Sequence, residues 1–149
     1  MRKKDVFYCP RFKFYDGETG KKLLLVLNEP SEGQPYLIVL VTSQQKNRKD
    51  VPGCYHKEGY YFIKENETWF SENTWLLFRP IYAFDFAKVL TESFSNNLTY
   101  KDQITEDFYI KILNCMLNSK DVKRLYKQIL KNELEVLDLD SELDPLSSL

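Results

Sequence analysis

Thr42, Ser43 and Gln44 are the residues whose types and placement first suggest chemistry. They close the apolar run that begins at Tyr36, and the cationic stretch Lys46-Asn47-Arg48-Lys49 follows one residue later. Hydroxyls and amides at the end of a buried strand can hydrogen-bond a phosphate or a splayed base. Cations beside them add salt-dependent attraction for a polyanion. Lys21 and Lys22 open the preceding apolar run and join the same patch if the two runs pair as strands. The plainer alternative is that Thr42 and Ser43 satisfy loop backbone groups where the strand stops, with Lys46, Arg48 and Lys49 on a solvated loop.

His56 is the single histidine, and imidazole is the side chain best suited to proton transfer near neutral pH. Cys54 lies two residues away, on the same face if both are in a strand. That spacing is long for a direct thiol–imidazole bond, and a zinc site needs three or four ligands. No metal or cofactor is expected. Trp69, Trp75, Tyr55, Tyr60, Tyr61 and Phe62 are expected to be mostly core, with one or two lining a groove where bases could stack.

These residues need a scaffold, and the pattern supplies one. Phe7–Tyr15, Lys21–Asn28 and Tyr36–Ser43 read as strands, the last two apolar enough to be buried on both faces. Tyr55–Ile63, Thr68–Phe70 and Thr74–Phe78 read as further short strands, with Gly59 marking a bulge and Arg79-Pro80 ending the run. Beyond them the period changes. A short helix is expected over 83–93, a second from an N-cap at Thr105 to about Asn118, and a third capped by Ser119. Val122, Leu125, Tyr126, Ile129 and Leu130 give that third helix an apolar face.

With 149 residues, of which 43% are hydrophobic, the chain can bury one substantial core. The expected division is an antiparallel β domain over 1–85 and a helical extension with an acidic tail over 86–149. Six acidic and no basic residues lie from Glu133 onward, leaving 21 basic against 16 acidic residues in 1–132, a balance of +5. Such a body suits polyanions without being a dedicated DNA-binding domain, and the tail is a candidate to fold over the basic patch as an anion mimic. Three cysteines without a C-x-x-C spacing point away from a disulfide framework and towards a reducing, cytoplasmic setting. No run reaches membrane-spanning length, and the charged N-terminus has no apolar stretch behind it.

The turn at Gly20, the strand Lys21-Lys-Leu-Leu-Leu-Val-Leu27 and the later strand ending Val41-Thr-Ser-Gln44 resemble the PemK/MazF toxin family over roughly residues 12–85. The resemblance implies an α+β fold, with a small SH3-like antiparallel β-barrel followed by a C-terminal helical segment. It also implies a toxin-like, metal-independent endoribonuclease acting on single-stranded RNA. Thr42 and Ser43 would hold the scissile phosphate and Lys22 or Arg48 would supply positive charge; the resemblance assigns no proton-transfer group, for which His56 is the candidate by side-chain type. Gln44, Lys21, Lys46 and Lys49 would bind the RNA. Lys21-Lys22 stand where the family has an Arg-Pro pair, and the later strand lacks the family's polar and acidic followers. A non-catalytic module of a toxin–antitoxin or phage-defence system, binding a protein such as an antitoxin or a nucleic acid, is the alternative on the same fold. A homodimer is within the family's habit.

Overall fold

The computed structural model describes residues 1–94 and 97–143. Seven strands form one antiparallel sheet: β1 (Asp5–Lys13), β2 (Thr19–Val26), β3 (Tyr36–Thr42), β4 (Gly53–Tyr55), β5 (Tyr60–Ile63), β6 (Thr74–Phe84) and β7 (Thr99–Gln103). Their order is β4-β5-β6-β3-β2-β1-β7, which leaves β4 and β7 as the two edges. Helix α1 (Phe86–Phe94) falls between β6 and β7, and α2 (Glu106–Leu117) and α3 (Arg124–Leu143) follow. The mixed α+β class expected from the sequence is therefore what forms. The segment after residue 85 supplies a strand to the sheet as well as helices.

The two central strands explain the layering. Side chains alternate across a strand, so each of its faces is read at every second residue. Leu25, Leu27, Leu37, Val39 and Val41 share one core with Tyr109, Ile112, Leu113 and Met116 of α2 and Ile129 and Leu130 of α3. Leu24, Val26, Ile38 and Leu40 face the other way, onto Phe12, Tyr82, Phe84 and Val89 of α1. On that second face Tyr60, Phe62 and Trp75 form a smaller cluster. Tyr109 anchors α2 to the sheet: it is fully buried and its hydroxyl donates a 2.6 Å hydrogen bond to the Leu27 carbonyl. Burial pushes its phenol well above the ordinary range, with the carboxylates of Glu133 and Glu29 adding to the shift.

Several local expectations are corrected. Arg79-Pro80 does not end the sixth strand. The pair has a cis peptide bond and lies where the β3–β6 register shifts, between Ile38 and Leu40, and the strand continues to Phe84. A bulge accommodates a proline because no ladder bond needs its missing N–H. Thr68–Phe70 is a bend rather than a strand. Gly59 is a turn residue at φ +81, where a Cβ would come within 2.8 Å of Arg79 Nε. Thr105 does cap α2, accepting from Phe108 N, but Ser119 closes its own local turn onto Asp121 N and α3 begins at Arg124. β7 went unforeseen because all five of its residues are exposed and carry no apolar alternation.

The cysteines are a further correction. Cys54 on β4 and Cys115 on α2 form a disulfide across a sequence separation of 61. The reducing setting was expected on the premise of unpaired cysteines, and that premise fails. No described helix is long and apolar enough to cross a membrane.

Two stability effects follow. Tyr109→Phe strips the Leu27 carbonyl of its buried donor and should cost about 1–3 kcal/mol in urea unfolding. Reducing the disulfide releases a long closed loop in the unfolded chain and should cost about 2–4 kcal/mol, read as a lower urea midpoint in dithiothreitol.

Candidate functional site

The β2–β3 ladder pairs Val26 with Ile38, Leu25 with Val39, Leu24 with Leu40 and Leu23 with Val41. Continuing that register places Lys22 opposite Thr42 and Lys21 opposite Ser43. Two strands buried on both faces thus deliver two cations and two hydroxyls to one end of the sheet. An open groove of about 350 Å³ lies there, lined by Lys21, Lys22, Thr42, Ser43 and Gln44. Its other wall is the bend before β6, with Trp69, Ser71 and Glu72, and Tyr8 reaches in from β1.

Each side chain arrives in a definable state. Thr42 Oγ1 accepts a 3.1 Å hydrogen bond from Gln44 N, which turns the chain out of β3 and leaves the hydroxyl proton available. The plainer reading therefore holds in part for Thr42. Ser43 is exposed, and its hydroxyl has no partner among the described residues. Lys22 lies 6.0 Å from the centre of the Phe14 ring. Burial lowers its pKa below the ordinary 10.5, and the like charges of Lys46 and Arg48 lower it further. Among the described residues Lys21, Lys22, Lys46 and Arg48 make no ion pair. Trp69 packs edge-on against Phe70 and keeps 36% of its surface exposed.

Other expected site residues lie elsewhere. Arg48 does not line the groove. Its Nη1 donates to the Gln44 carbonyl at 2.9 Å, and with Lys46 and Lys49 it lines a neighbouring cavity. His56 sits in the turn between β4 and β5 and lines neither space. Its Nδ1 is 3.8 Å from Cys54 Sγ, but that sulfur is bound to Cys115 and offers no thiol. Trp75 is core, with its Nε1 donating to the Lys49 carbonyl at 2.9 Å. Among the described residues none of α3 lines the groove. At the head of the acidic segment, Glu133 is instead buried against Lys3 at 3.3 Å, so the expected anion mimic does not form over the described residues. The rest of that expectation, residues 144–149, falls outside them.

Sequence reasoning missed Tyr8 and Glu72. Ser71-Glu72-Asn73 reads as a turn from its composition, and only the tertiary approach of that turn to β3 turns Glu72 into a groove residue. Among the described residues Glu72 is the one carboxylate on the groove wall, and it has no ion-pair partner there.

Because the pKa of Lys22 is lowered on folding, its charge opposes the folded state. The penalty is complete below the folded-state pKa and disappears as pH rises from there through 10.5, so stability rises with pH across that window. Neutralising the like charges with Lys46→Asn and Arg48→Gln should move the Lys22 titration upward, towards but not reaching 10.5, since burial remains. NMR titration of the Lys22 side chain reads this directly, and a filled anion site should shift it the same way.

Compared with known family models, with curated proteins and with solved structures, the chain matches none. Its function therefore has to be derived from the chemistry of this groove.

Proposed function

We propose that the protein binds single-stranded RNA in the β2–β3 groove and cleaves it as a toxin-like, metal-independent endoribonuclease. The observation that carries the reading is the convergence of Lys21, Lys22, Thr42, Ser43 and Gln44 with the exposed Trp69 in one open groove. Cations and hydroxyls suit a phosphodiester, and an aromatic face suits an unstacked base. The same reading takes the sheet, with its bulged β1 and β6 and its short β4 and β5, as the material of an SH3-like barrel.

Cleavage begins when the RNA 2′-hydroxyl attacks the adjacent phosphorus. Its proton passes to a base, a bond forms between the 2′-oxygen and phosphorus, and the bond to the 5′-oxygen breaks. The 5′-oxygen takes a proton from an acid, leaving a 2′,3′-cyclic phosphate and a 5′-hydroxyl. In this groove Glu72 is the carboxylate placed to serve as base, and Lys22, whose ammonium gives up its proton more readily than an ordinary lysine, serves as acid. Ser43 and Lys21 hold the phosphate while its oxygens gain charge. His56, expected in the proton-transfer role, has no part in this scheme.

The placement of His56 favours a second reading, in which the groove binds RNA without cutting it. Incubating the protein with mixed-sequence RNA in EDTA separates the two. The first reading expects fragments with cyclic-phosphate ends, no cleavage by Thr42→Ala/Ser43→Ala, and a loss of about 100-fold or more for Glu72→Gln. Intact RNA that is nonetheless bound by folded wild-type protein would replace catalysis with binding alone.

A further inference from the structure

A second cavity, of about 420 Å³, lies along the loop between β3 and β4. Lys46, Arg48 and Lys49 line it from the loop, Glu58 and Gly59 from the β4–β5 turn, and Arg79 from the bulge of β6. Four cations thus face one carboxylate. Two of the four are engaged, Lys49 with Glu58 at 3.8 Å and Arg79 with Asp121 at 2.7 Å. Lys49 and Glu58 are both exposed, and such a pair holds weakly enough to yield to a phosphate, whereas Arg79 stays held by the less exposed Asp121. Lys46 and Arg48 have no carboxylate partner among the described residues.

The loop is also held in place. Tyr60 OH accepts from Lys49 N at 2.8 Å, and the Lys49 carbonyl accepts from Trp75 Nε1 at 2.9 Å. The cations therefore project from a fixed backbone, which lowers the ordering cost of binding. The two spaces share no lining residue but are linked through the chain between them. Gln44 lines the groove, and its carbonyl holds the guanidinium of Arg48, which lines the second cavity. From Gln44 to Lys46 is two residues, a reach of at most about 7 Å.

We infer that the second cavity is a phosphate subsite for nucleotides flanking those in the groove, so that the ligand is a single strand several nucleotides long, gripped at two points. The inference rests on the single-stranded RNA reading of the groove. The second grip acts at high effective concentration once the first is made, so affinity rises with length beyond what the groove alone provides.

The test uses 2′-O-methyl oligouridylates of two and eight nucleotides, which lack the attacking hydroxyl and cannot be cut. Their dissociation constants are measured by fluorescence anisotropy across a salt series. Wild-type protein should bind the octamer tighter than the dimer by on the order of tenfold or more. Lys46→Asn/Lys49→Gln should collapse that ratio towards one and reduce the octamer's salt slope by about 1.4, for two lost phosphate contacts. Asparagine is chosen at position 46 because that residue has φ +50, which asparagine tolerates. Lys22→Ala should instead weaken both oligomers. A ratio unchanged in the loop variant overturns the subsite and leaves the groove standing. Wild-type protein that binds neither length overturns the groove reading and the subsite together.

Discussion

The pairing of β2 with β3 is the constraint on which the remaining structure depends. From Leu23 to Val26 and from Ile38 to Val41 these strands run at the centre of the sheet, with one face under α2 and α3 and the other against α1 and the aromatic residues of β1 and β6. A strand covered on both faces has no polar side, so it reads as a continuous apolar run. Polar groups can appear only where the strand leaves the core. At that end Lys21 and Lys22 enter and Thr42 to Gln44 leave, and the antiparallel register brings the two sets together.

The electrostatics of this end run against stability. Lys22 is partly withdrawn from water, and Lys46 and Arg48 add like charge. Isolated from ligand, such an arrangement raises the free energy of the fold, and opposite charge brought into the groove relieves it. A solvated surface would spread these cations apart or pair them with carboxylates, as happens on the same molecule at Lys49–Glu58. Their crowding beside exposed hydroxyls and an exposed indole is what distinguishes the groove from ordinary surface.

Two tethers keep the site in shape. Tyr109 fastens α2 to the end of β2 through the Leu27 carbonyl, and the Cys54–Cys115 disulfide fastens the short edge strand β4 to the same helix. β4 has only three residues and a single strand partner, so its pairing alone is a weak hold. The cationic loop runs directly into β4, and fixing that strand limits how far Lys46, Arg48 and Lys49 can stray.

The sequence by itself determined what depends on neighbours along the chain. The apolar runs of β2 and β3, the Thr105 cap, the helical period of α2 and the polar ending of β3 are local signals, set by side-chain alternation and backbone hydrogen bonding. They sufficed to nominate Lys21, Lys22, Thr42, Ser43 and Gln44. Only the tertiary structure decided what lies opposite those residues. It brought Glu72 and Trp69 from a bend some thirty residues away, sent His56 and Arg48 elsewhere, joined two cysteines 61 positions apart, and recruited the fully exposed β7 to the sheet. Such contacts are fixed by how the two core faces pack, and no residue type or local spacing records which distant segment fills the space beside it.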